Sequence, residues 1–110
     1  AASDATYREM IRTSHSTSTV MTAAISGRPA RSLESTFTRQ TRSATAKEIP
    51  DYPLTYALGK ALAQAASTQQ VAGYGAYWAG QAVALAQPRP AAELIAQWAT
   101  ELMLVNPVAR

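Results

Sequence analysis

The stretch Tyr77-Trp78-Ala79-Gly80-Gln81-Ala82 decides how this chain is read. Two bulky aromatics run into Ala-Gly, then a side-chain amide, then the apolar string Ala82-Val83-Ala84-Leu85-Ala86. Glycine has no Cβ, so at Gly80 a backbone can come close to something flat or bulky. The apolar string predicts a helix over 77–86, stopped by Pro88 and Pro90. Gln81 then falls in a first turn, where free N–H groups and an amide can meet a ligand. Tyr77 and Trp78 have two readings: a stacking wall over that ligand, or core packing at the helix start.

Working outward, Pro53 suits the first position of a helix, where its missing N–H costs nothing. Leu54, Leu58, Ala61, Leu62 and Ala65 fall on one face, which predicts a helix to about Ala66. Ser67 to Gly75 is polar, contains two glycines and reads as a loop. The last helix is expected from Pro90, with Glu93 favourable in its first turn. Ala91, Leu94, Ile95, Trp98, Leu102 and Val105 form its stripe, Trp98 reads as a core residue, and Asn106-Pro107 ends it.

Towards the start, residues 4–12 read as a short helix capped by Ser3 or Asp4, with Tyr7, Met10 and Ile11 on one face. Thr13 to Ser18 reads as a hydroxyl-rich loop. Thr19 to Ile25 reads as a strand ended by Gly27 and Pro29. Ser32 is expected to cap a helix from Leu33 to about Arg42, although Thr36, Thr38 and Thr41 are mediocre helix formers. The strand has no evident partner in the chain, and a strand needs a ladder for its backbone groups. That absence, and the alanine-rich stretches suited to close packing, suggest a segment that rests on something else.

Bulk properties narrow the function. At 110 residues the chain is one domain or a piece of one. It has no Cys and one His, so neither a disulfide framework nor a zinc ligand set is available. No apolar run approaches bilayer length and no charged-then-apolar leader opens the sequence, so no membrane association and a cytoplasmic location are expected. The net charge is +3 and the pI about 9.6, mostly from arginine. Arg31, Arg39 and Arg42 read as a solvated helix face rather than a nucleic-acid patch, since only Phe37 is interleaved with them. His15 reads as an exposed loop residue. Ser14, Ser16 and Ser26 lack a nucleophile-elbow context. Gly73, Gly75 and Gly80 make no dinucleotide fingerprint. No catalytic or metal-binding residue is assigned.

Five motifs in order, Val20-Met21-Thr22, Gly27-Arg28-Pro29-Ala30-Arg31, Tyr52-Pro53-Leu54, Ala79-Gly80-Gln81 and Ala91-Ala92-Glu93-Leu94, resemble the C-terminal part of the nitronate monooxygenase family, formerly the 2-nitropropane dioxygenases. The resemblance spans nearly the whole chain. It implies a flavoprotein oxidoreductase in which FMN sits in a TIM-like barrel under a mainly helical lid. It further implies that the barrel, the catalytic histidine and the phosphate loop lie N-terminal to this segment.

The expected fold is then mainly α with a small β element (α+β): residues 1–75 a lid-like helical and strand part, 76–110 terminal helices packing on a barrel that is not in the chain. Ala79, Gly80 and Gln81 become cofactor-binding candidates, and Trp78 and Tyr77 substrate-side candidates. The expected partners are the N-terminal barrel portion and a small nitronate-like molecule; a homo-oligomer is left open, and nucleic acid is not expected. Alone, the segment is expected to catalyse nothing. Enoyl thioesters stay open as substrates. The other reading, from a different class, is a small helical module that binds a partner protein or acidic polymer through its Arg-bearing helix.

Overall fold

A computed structural model of the chain describes residues 5–15 and 18–105. The expected caps Ser3 and Asp4, Ser16, and the terminator Asn106-Pro107 lie outside the described residues. The elements run α1 (Ala5–Arg12), β1 (Thr19–Thr22), β2 (Ala30–Leu33), α2 (Thr36–Gln40), α3 (Leu54–Thr68), a short 3₁₀ turn (Val83–Leu85) and α4 (Ala91–Val105). The chain is therefore mainly helical with a small antiparallel sheet. No helix among the described residues is long and apolar enough to cross a membrane.

The strand expected at 19–25 forms, but shorter, and it does have a partner. β1 pairs antiparallel with β2, with Thr19 opposite Leu33 and Thr22 opposite Ala30. The connection holds Gly27 at φ +85°. A Cβ there would sit 2.6 Å from the backbone nitrogen of Tyr52 and 2.8 Å from the carbonyl oxygen of Pro50. The turn thus needs glycine both for its backbone angle and for its close seat on residues 50–52.

The helix expected from Leu33 to Arg42 is corrected to α2 alone. Leu33 and its neighbours are taken by the sheet, because Leu33 is almost fully buried and Ser32 has no exposure. The cap moves three residues along: Ser35 Oγ accepts from the Thr38 N–H at 3.3 Å, and Thr38 Oγ1 accepts from the Ser35 N–H at 2.8 Å. With threonines dominating the next turn, the capped helix stops after five residues.

α3 and α4 form as expected, but their apolar stripes stay on the surface. Thr55 is buried and Gly59, Ala63 and Ala66 are half-buried, so α3 turns its small residues inward. A Cβ on Gly59 would meet the carbonyl oxygen of Ile25 at 2.8 Å, which shows how closely the helix approaches the hairpin connection. Leu54 and Leu58 face outward. On α4, Ile95, Trp98 and Leu102 are all more than half exposed, which corrects the core assignment of Trp98. The buried centre is small: Leu33, Tyr77 and Val83, with Tyr7, Met10, Ile11 and Ala79 packed against it. The radius of gyration is 17.1 Å, against about 13 Å for a compact domain of roughly 100 residues.

Candidate functional site

Residues 77–86 do not form the expected helix. The aromatic pair runs extended beside β2, as β-favouring aromatics do when an open strand edge is offered. The Leu33 N–H donates to the carbonyl oxygen of Tyr77 at 2.8 Å, and the Ala79 N–H donates to that of Arg31 at 3.3 Å. Ser32 and Trp78 sit opposite each other in this isolated antiparallel bridge. Ser32 Oγ donates to the Tyr77 carbonyl at 3.0 Å, and the Tyr7 hydroxyl donates to the Trp78 carbonyl. These bonds cross the 75/76 boundary expected between the two parts of the chain.

The candidate residues separate as a result. Tyr77 is buried, its ring 5.6 Å from that of Tyr7 at a tilt. Trp78 and Ala79 are half-buried, while Gly80 and Gln81 are exposed. A turn follows, with the Val83 N–H donating to the Gly80 carbonyl at 3.2 Å. A Cβ built on Gly80 meets no atom within 4 Å among the described residues. Gly80 opens into a cleft of about 690 Å³ bordered by Val83, Leu85, Leu94, Trp98 and Glu101. The structure thus brings Gly80 and Trp98 to one cleft, places Gln81 in the exposed turn beside it, and commits the Tyr77 ring to the core.

A second exposed arrangement joins the hairpin connection to α3. The Arg28 guanidinium lies 4.6 Å over the Tyr52 ring and the Lys60 ammonium 5.6 Å from the Tyr56 ring centre. The two tyrosine rings are 6.2 Å apart. Neither hydroxyl takes a hydrogen-bond partner among the described residues. The result is a ladder of two cations and two phenols on one surface. Its signal in the sequence was the four-residue spacing of Tyr52, Tyr56 and Lys60, of which Tyr56 and Lys60 share one face of α3 while Tyr52 precedes the helix.

The arginines do not share one helix. Arg31 lies in β2 and donates to Thr19 Oγ1 at 3.1 Å, Arg39 is exposed on α2, and Arg42 pairs with Glu34. Burial pushes the Tyr7 hydroxyl above the ordinary tyrosine range, whereas the Thr45 N–H and hydroxyl hold the exposed Glu48 carboxyl below its own. Neither group borders the cleft at Gly80.

Gly80 and Gln81 make an exposed edge beside the cleft. Gly80 offers backbone without a side chain, and Gln81 offers an amide that both donates and accepts. They do not make a complete flavin site.

Comparison with known proteins bears on what that edge belongs to. The family model for nitronate monooxygenase matches residues 1–101. The nitronate monooxygenase of Paraburkholderia phytofirmans is 48% identical over 99 residues, covering 90% of this chain and 27% of that protein. That of Pseudomonas aeruginosa is 37% identical over 99 residues, covering 90% and 28%. Among solved structures, a nitroalkane oxidase from Streptomyces ansochromogenes superposes with a TM-score of 0.78 at 29% identity, covering 98% of this chain and 30% of that one. The chain thus spans little more than a quarter of the curated relatives it matches, and by the family match it belongs to the nitronate monooxygenase family.

Proposed function

We propose that this chain is the C-terminal lid and terminal-helix portion of an FMN-dependent oxidoreductase that oxidises nitronates with oxygen, and that it is inactive by itself. The observation that carries the reading is the surface that the chain leaves uncovered. Ile95, Trp98 and Leu102 line α4, and Leu54 and Leu58 line α3, all more than half exposed. A monomer rarely exposes a contiguous apolar area of this kind. The matched relatives carry well over twice as much chain again as this segment spans, which supports the reading that a further part of the same protein covers this surface. In this reading residues 1–75 cover the mouth of a β/α barrel and 76–110 pack on its side, the site lying at the loop-bearing face.

Ala79, Gly80 and Gln81 contact the cofactor from the lid side, and Trp78 borders the substrate, with Tyr77 anchoring the segment beneath. Bound FMN supplies the redox chemistry. This chain's residues hold its edge, exclude water and present the Gln81 amide to a ring or nitronate oxygen. The Arg28–Tyr52–Tyr56–Lys60 ladder suits an anion such as a nitronate, because its cations are exposed and its hydroxyls unengaged among the described residues. The reading as an interaction module loses the Arg-bearing helix on which it depended.

Gln81→Leu tests the proposal in the full-length protein that carries this chain. It keeps the volume and removes the amide. One lost buried hydrogen bond costs about 1–3 kcal/mol, or roughly ten- to hundredfold in affinity or rate. Visible flavin absorbance and nitronate turnover are expected to fall while the melting temperature holds. Unchanged kinetics with a destabilised fold would make the amide a structural cap and sink the assignment.

A further inference from the structure

We propose that Tyr7 and Ser32 are positioning residues that hold the Trp78–Gln81 segment at the height from which Gly80 and Gln81 reach the cofactor; this rests on the reading above that the segment touches it. The two hydroxyls come from distant parts of the chain, 71 and 45 residues from the carbonyls they bind, and meet on consecutive peptide units. Tyr7 reaches from α1 to the Trp78 carbonyl, and Ser32 from β2 to that of Tyr77. Both lie against the buried centre: Ser32 has no exposure, and the Tyr7 ring packs at a tilt against the Tyr77 ring, 5.6 Å between centres.

Past Trp78 the segment is tied only lightly. The Ala79 N–H reaches Arg31 at 3.3 Å, after which the Gly80 carbonyl has its own local turn. The clamp is therefore the last firm point before the exposed glycine and glutamine. The two members are not equivalent. The Tyr77 carbonyl also accepts from the Leu33 N–H, so it stays paired without Ser32. The Trp78 carbonyl has Tyr7 as its partner among the described residues, so removing that hydroxyl frees the end of the segment nearest the site. A carbonyl left without its donor moves towards water, and a displacement well under the size of an atom is enough to spoil a hydrogen bond at Gln81.

The experiment compares Tyr7→Phe, Ser32→Ala, Gln81→Leu and Met10→Ala in the full-length flavin-loaded protein. Met10 packs on the same buried centre and makes no bond to residues 77–81, so it reports core loss alone. The readouts are flavin dissociation constant, visible absorption bands of the bound flavin, KM against kcat, and the urea midpoint. Tyr7→Phe is expected to weaken flavin binding about three- to tenfold and to shift the flavin bands, with Ser32→Ala smaller in the same direction and Met10→Ala moving only the urea midpoint. A Tyr7→Phe protein that matches Met10→Ala, while Gln81→Leu still weakens flavin binding, overturns the positioning role and leaves the proposed function standing. If Gln81→Leu and Tyr7→Phe both leave flavin affinity and spectrum unchanged, the reading of the segment falls and this inference with it. Should Tyr7→Phe not fold, Ser32→Ala carries the comparison by the same criteria.

Discussion

Replacing Gly27 by alanine is expected to be among the most damaging single-methyl changes in the chain. Two costs combine. Gly27 has φ +85°, where a residue with a Cβ loses about 1–2 kcal/mol. The added Cβ would also stand 2.6 Å from the Tyr52 nitrogen, 2.8 Å from the Pro50 oxygen and 3.0 Å from the Asp51 carbonyl carbon. All three are backbone atoms, so no rotamer change relieves the clash, and the turn must lift off residues 50–52. Overpacking of this kind costs about 1–3 kcal/mol, giving a total of about 3 kcal/mol. The lift also pulls Arg28 from its place 4.6 Å over the Tyr52 ring. Arg28→Ala, by contrast, loses only an exposed cation–π contact, about 0.5–1 kcal/mol. Urea unfolding of the full-length variants, followed by circular dichroism, reads both. The Gly27→Ala midpoint should fall by roughly 1 M or more at an ordinary m-value of about 2 kcal/mol/M, with m unchanged. A Gly27→Ala protein as stable as Arg28→Ala would refute the argument that this turn is seated on the Tyr52 backbone.

Other consequences are independent of that turn. Lys60→Met removes the ladder's cation at one end, and KM for nitronates should rise several-fold with flavin content unchanged; an unaltered KM would remove the ladder from the substrate's path. Because burial raises the folded pKa of Tyr7 above the unfolded 10.0, the folded state keeps its proton longer. The stability Tyr7 contributes is full below pH 10 and declines as pH rises through the folded value. Tyr7→Phe should flatten that alkaline decline in a melting series, and an identical slope would show that other groups cause it. The isolated 110-residue chain, with α4 uncovered, should self-associate or melt broadly in size exclusion with light scattering and calorimetry. A sharply melting monomer would count against a missing cover.

Much of the secondary structure was legible because local signals agreed. Pro53 at a helix entrance, the long apolar periodicity of 54–66 and the Pro90-Ala91-Ala92-Glu93 start each mark a helix that is there. The Tyr7, Met10 and Ile11 face also packs as expected. The partner of β1 was missed because Ala30-Arg31-Ser32-Leu33 carries little strand propensity of its own. Its pairing comes from Gly27 turning the chain back and from burial of Leu33 and Ser32. The ladder of Arg28, Tyr52, Tyr56 and Lys60 was not anticipated: helical spacing aligns only Tyr56 with Lys60 on α3, and the folded hairpin delivers Arg28 to Tyr52.

The stretch 77–82 shows where sequence and tertiary structure part. The order of five motifs carried the resemblance to the family, which the family match bears out, and the residues of this stretch singled out Gly80 and Gln81 as the unusual positions. They could not set the conformation, because an apolar string such as Ala82–Ala86 is compatible with a helix or with extended chain until something offers it hydrogen bonds. Tertiary structure decided that: the free edge of β2 and the Tyr7 hydroxyl claim the carbonyls of Tyr77 and Trp78, bury the first ring and leave Gly80 and Gln81 in the open. It likewise decided which face of each long helix is covered. Periodicity marks an apolar face, but only packing determines whether this chain buries it, and on α3 and α4 it does not.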